Sequence, residues 1–174
     1  MTVHDQDRLT IWKLLLLTAG FGVGLSCFQA PLDQFNWKAS EDWRVLSNGI
    51  LCGLSLPAIA FGLRLRLSGR RLGGGALFGL MAGLGTLLML PPAVLYGPGS
   101  SGDRDTSIAV ACMNYVMPLM ALWFLLAAIV GGALRRQVWS SATPWSEKYG
   151  YLLAGGWAPL GVWAMFDIYC DKLM

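Results

Sequence analysis

Charge is missing from five long stretches of this chain, and that pattern restricts the possible folds more than any motif in it. Asp, Glu, Lys and Arg are absent from Leu14 to Leu32, Val45 to Leu63, Leu72 to Gly102, Thr106 to Leu134 and Tyr149 to Phe166. An uncharged apolar run of about 18 residues or more can cross a bilayer as a helix. Trimmed at turn residues, the runs predict spans near 10–29, 45–65, 73–96, 108–133 and 149–169. Composition agrees. Hydrophobic residues make up 55% of the 174 and charged residues 13%, against roughly a quarter charged in soluble domains. A water-soluble domain of this size could not cover that much apolar surface, whereas lipid solvates it directly. The expected fold is all-α: a polytopic integral membrane protein, a bundle of five transmembrane helices forming one membrane domain over residues 1–174. Four spans are the alternative. The last stretch is the shortest and carries Gly150, Gly155, Gly156, Pro159 and Gly161, so it could lie at the interface instead.

The connections fit this reading. Residues 30–44 are a polar loop with two Trp, residues 64–72 a short basic turn, and residues 97–107 a Gly/Ser/Asp-rich segment that cannot continue a helix. Residues 135–148 are polar and contain a Pro144-Trp145 step. Basic residues set the orientation. With the N-terminus in the cytoplasm, the inner segments hold Arg8, Lys13, Arg64, Arg66, Arg70, Arg71, Arg135, Arg136 and Lys148, nine in all, and the outer ones hold the remaining four, Lys38, Arg44, Arg104 and Lys172. Five spans then place the C-terminus outside, in the cell's inner (plasma) membrane. Lys13 and Arg44, close to helix ends, are expected to snorkel. Trp12, Trp37, Trp43, Trp139, Trp145, Tyr149 and Tyr169 fall near predicted ends, as an aromatic belt does.

Several function classes are excluded or left without support. The net charge of +3 is small and spread out, and no RNA or DNA module is present, so nucleic acid is not an expected partner. The only histidine is His4, no two of the four cysteines form a CxxC pair, and no cofactor is expected. Ion pumps and proton relays need ionisable groups at depth. The spans here offer Ser47, Asn48, Ser55, Thr86 and Asn114, with Asp167 near one end. The default role of Asn48 and Asn114 is an interhelical hydrogen bond. No nucleophile–base pair, paired carboxylates or P-loop occurs, which leaves catalytic residues unassigned.

Glycine spacing is the clearest motif. Gly75, Gly79 and Gly83 recur at every fourth residue, Gly20 and Gly24 repeat that spacing in the first span, and Gly49 and Gly53 in the second. A helix face without side chains lets another backbone approach closely, so these seven are candidate helix-packing residues, facing either another span or a second protein.

The fourth span carries soft donors. Cys112, Met113, Met117 and Met120 lie in ACMNYVMPLM, with the three methionines at i, i+4 and i+7 of one helical face. Thioether and thiolate ligands select Cu(I), which makes these four the candidate metal ligands. The Met113-to-Met117 spacing resembles the methionine pair of the small three-span copper transporters. That family has three spans, and its Met- or His-rich tail has no counterpart here. The structural role of such a stripe is core filling. The opening RLTIWKLLLLTAGFGVGL resembles the N-terminal segment of many bacterial inner-membrane proteins, which implies a location and no reaction. Cys27, Cys112 and Cys170 are expected near the outer face, where a disulfide between two of them could persist.

The expected role is a small accessory subunit or scaffold acting through helix–helix contacts, with the lipid bilayer, other membrane proteins or a second copy as partners. The alternative is a transporter or channel for a small neutral or soft-metal solute. A membrane enzyme ranks third.

Overall fold

The computed structural model describes residues 11–29, 39–96, 112–131 and 143–170. Among them are five α-helices and no strand: α1 (Ile11–Gln29), α2 (Ala39–Leu67), α3 (Gly74–Tyr96), α4 (Met117–Val130) and α5 (Trp145–Cys170). Each helix lies over one of the uncharged stretches. Within the described residues, Leu46–Leu67 is the one segment long and apolar enough to cross a membrane, at 22 residues and a mean hydropathy of 1.6. Ile11–Gly24, Gly74–Leu88 and Asn114–Val130 are apolar but shorter. Helix α5 has the length, 26 residues, but its glycines, tyrosines and tryptophans dilute its hydropathy.

The helices run alternately up and down. Gly20 and Gly24 of α1 meet Gly53 and Gly49 of α2, and Gly83 and Gly79 of α3 meet Ser55 and Ala58 of α2, which is antiparallel register in both pairs. Helix α5 packs against α2, α3 and α4. It runs parallel to α3, with Gly75 and Gly150 in contact near both starts, and antiparallel to α4, with Gly161 against Pro118. One end of the bundle therefore gathers the start of α1, the end of α2 and the starts of α3 and α5. The other end gathers the π-turn before α4 and the end of α5.

The sequence explains the junctions. The α2–α3 hairpin closes through Gly69, whose φ of 74° is the left-handed conformation that glycine adopts without steric cost. A π-helical turn, Cys112–Val116, leads directly into α4. Pro118 stands in the first turn of α4, where its ring would collide with the carbonyl of Asn114 in a regular α-helix. The wider π-turn relieves that collision.

The core is built mostly of small residues. Cys52, Ser55, Ala58, Ala76, Ala82, Ala121, Ala154 and Ala164 are buried, and the one large side chain deep among them is Trp157, fully enclosed. Helix α5 supplies Leu153, Ala154, Trp157, Leu160 and Ala164 to that core, so it is an integral member of the bundle and not a segment laid across its end. Near the α1 start, Trp12, Phe61 and Tyr149 stack edge to face in series, with centroids 5.7 and 5.3 Å apart. Lys13, expected to extend outward, is instead buried. It shares the face of α1 that carries Gly20 and Gly24, and that face is pressed against α2.

Candidate functional site

Apolar helices gain little specificity from their side chains, so the buried polar groups are where this bundle can be specific. They follow one face of α2. Asn48, Cys52 and Ser55 stand at i, i+4 and i+7 and all are buried. At the lower end of this line, Ser55 Oγ donates to the Leu51 carbonyl, 2.7 Å away, and accepts from the Trp157 indole N–H at 3.4 Å. Tyr149 donates its hydroxyl to the Leu54 carbonyl. On α3, Thr86 donates to the Ala82 carbonyl at 2.9 Å. These bonds stay within the bundle and fix α2 against α5.

At the upper end, Asn48 Nδ2 donates to Asn114 Oδ1 across α2 and the π-turn. Asn48 is 3% exposed, and its own Oδ1 has no hydrogen-bond partner. A buried amide oxygen left in that state costs about 1–3 kcal/mol, and such groups need a reason. The next residue, Tyr115, donates its hydroxyl to Asp167 Oδ2 at 2.6 Å, tying the same π-turn to α5. The widened turn thus aims two consecutive side chains at two different helices. Insertions of this kind gather at functional sites, which makes Asn48, Asn114, Tyr115 and Asp167 the candidate site. Its chemistry is hydrogen bonding: a neutral amide pair, a phenol and one carboxylate, with an acceptor to spare.

The methionine stripe fares differently. Met117 is half-buried, and a Cβ on Gly85 would lie 3.3 Å from its methyl group, while Met120 is 46% exposed. The π-turn interrupts the helical period between Met113 and Met117, so the i, i+4, i+7 arithmetic does not place the three on one face. The side chains of Cys112 and Met113 lie outside the described residues, as does that of Cys27. Cys170 is a free, exposed thiol, so no disulfide joins it to another cysteine.

All seven candidate packing glycines face other helices of the chain. A Cβ on Gly53 would meet the Gly20 carbonyl and, at 2.8 Å, Gly24 Cα; one on Gly20 or Gly24 would strike Gly53 or Gly49. A Cβ on Gly83 would lie 2.5 Å from the Ser55 carbonyl, one on Gly79 would lie 3.2 Å from Ala58 Cβ, and one on Gly75 would overlap the Glu147 carbonyl. Sequence reasoning missed their partners Gly150 and Gly161, which lack the four-residue repeat.

It also missed Glu147. This α5 carboxylate accepts the Gly75 N–H on Oε1 at 2.9 Å and the Ala76 N–H on Oε2 at 3.0 Å. Two of the unsatisfied donors at the start of α3 are met, and an anion sits at the positive end of the helix dipole. The signal was present: α3 opens with Gly73-Gly74-Gly75 and no Ser, Thr, Asp or Asn to cap it, so an acceptor had to come from elsewhere. Comparison with protein families, with curated proteins and with solved structures finds no match to this chain.

Proposed function

We propose that this chain is a multi-pass membrane protein, a five-helix bundle in the plasma membrane with its N-terminus cytoplasmic and its C-terminus outside, serving as a small accessory subunit or scaffold through helix–helix contacts. One observation carries the reading: the bundle is packed inside out. Small residues and glycines fill its interior, while large apolar side chains point away from it on every helix. Leu15 on α1, Leu63 on α2, Leu88 on α3, Trp123 and Ile129 on α4 and Phe166 on α5 are all exposed, Leu88 to 71% and Phe166 to 65%. In water such a surface would drive association. In lipid it is the expected exterior, with small residues at the helix contacts.

The self-sufficiency of the interior supports an accessory role over a solute path. Ser55, Thr86, Tyr149 and Trp157 hydrogen-bond within the bundle. The glycine faces are used inside the chain, so a protein partner would meet the outer apolar faces. The test is purification in mild detergent from the native membrane, followed by mass spectrometry. A stoichiometric membrane-protein partner is the expected result; a chain that purifies alone would contradict the role.

The second reading, a path for a small neutral solute, is favoured by the unpartnered Oδ1 of Asn48 beside a π-turn. Its soft-metal variant rests on Met113 and Met117. Replacing both by Leu without loss of metal uptake would remove that variant.

A further inference from the structure

We propose that the α2–α3 hairpin is a docking surface for the phosphate groups of anionic phospholipids, a partner that rests on the membrane reading above. Arg64, Arg66, Arg70 and Arg71 fall within eight residues, and all are exposed. Their backbone is fixed. Ser68 N–H donates to the Arg64 carbonyl at 3.1 Å, Gly69 N–H to Arg66 at 3.0 Å and Arg70 N–H to Leu65 at 3.3 Å. Ser68 Oγ donates to the Leu65 carbonyl at 2.7 Å, and Gly69 turns the chain at φ 74°. The guanidinium groups are therefore presented from one short, hydrogen-bonded hairpin. The Arg64 guanidinium lies 4.9 Å from the centre of the Trp12 ring, which orients it and leaves its N–H edges available.

This charge is not compensated within the described residues. Only two acidic side chains are described, and both are engaged elsewhere. Glu147 spends its two oxygens on the backbone N–H groups of Gly75 and Ala76. Asp167 accepts from Tyr115, twenty residues further along α5 and so roughly 30 Å from that end. An external anion is the natural complement, and phosphate matches the arginine fork in a bidentate way.

The neighbours of the arginines point to lipid over free phosphate or an acidic peptide. Leu67 is 87% exposed and Ile11 78% exposed at the same end. Trp12 and Trp145 stand there as well, half-buried. Apolar side chains beside guanidinium groups, with tryptophans at the same level, match acyl chains beneath headgroup phosphates.

The experiment is thermal unfolding of the purified full-length chain in mild detergent, titrated with phosphatidylglycerol, phosphatidylcholine or inorganic phosphate. The wild type should be stabilised at lower concentrations of phosphatidylglycerol than of phosphatidylcholine, and inorganic phosphate should have no effect. A variant with Arg66→Gln, Arg70→Gln and Arg71→Gln, sparing the Arg64–Trp12 contact, should unfold at the wild-type temperature without lipid. It should need about tenfold more phosphatidylglycerol for the same shift. The matching Lys variant, which keeps charge but loses the fork, should fall between the two. Equal responses to the two lipids, a Gln variant that responds like the wild type, or a shift fully reproduced by inorganic phosphate would each overturn the proposal. A chain that stays folded and monomeric without detergent would overturn the membrane reading itself, and this inference with it. A chain that requires detergent but shows no lipid preference would overturn the inference alone.

Discussion

Replacing Gly53 by Ala adds one methyl group at the α1–α2 contact, where it has nowhere to go. The new Cβ would overlap the Gly20 carbonyl and lie 2.8 Å from Gly24 Cα and 2.9 Å from Gly24 N. All three are backbone atoms, so no side chain can rotate away. An ordinary contact begins at 3.4 Å, so α1 and α2 must part locally by at least 0.6 Å. A gap of that size forfeits about a quarter to a half of the attraction of each atom pair along the seam. Overpacking of this kind costs about 1–3 kcal/mol. Gly155→Ala is the matched control. Nothing lies within 4 Å of its Cβ, and the change from Gly to Ala in an exposed helix position should be neutral or stabilise by up to about 1 kcal/mol. Equilibrium unfolding in mild detergent, followed by circular dichroism, compares the two. A Gly53→Ala protein as stable as the Gly155→Ala protein would refute the close backbone packing of α1 on α2.

Further outcomes follow from the polar groups. Asn114→Leu should destabilise by about 1–3 kcal/mol, because it strands both ends of the buried Asn48 amide; Asn48→Leu should cost less, since it removes the orphaned oxygen along with the bond. Equal losses in denaturant unfolding would argue against that asymmetry. Glu147→Ala should cost about 1.5–3 kcal/mol by freeing the Gly75 and Ala76 N–H groups, with Glu147→Gln intermediate, and amide exchange at Ala76 should accelerate in step; an unchanged exchange rate would contradict the cap. Trp157→Ala, which empties the centre of the bundle, should cost about 3–5 kcal/mol, whereas Trp123→Ala at the exposed face of α4 should stay within about 0.5 kcal/mol of wild type. A similar loss in both would place the core elsewhere.

The helices themselves were legible in the sequence because charge is expensive to bury anywhere and marks element ends in either solvent. Glycine spacing was legible for the same local reason: residues four apart share a helix face. The weight of α5 was not. Hydropathy averages score Gly150, Trp157 and Gly161 as poor membrane residues, yet these make the closest contacts to α3, α2 and α4. Their value lies in shape, which an average does not see. The methionine stripe failed through the π-turn. Its arithmetic assumed an unbroken α period, and the proline at position 118 that breaks the period was in view. The pairing of Asn48 with Asn114 joins residues sixty-six apart. Each was visible as a polar intruder, but only the topology could match them. Glu147 was hidden by its position in a polar segment, where a carboxylate reads as a solvated charge.

Alkaline carbonate extraction of native membranes, with the chain followed by immunoblot, tests the central claim most directly. An integral five-helix bundle stays with the lipid pellet after the wash. Its release into the supernatant would contradict the reading that the exposed leucines, Trp123 and Phe166 face acyl chains.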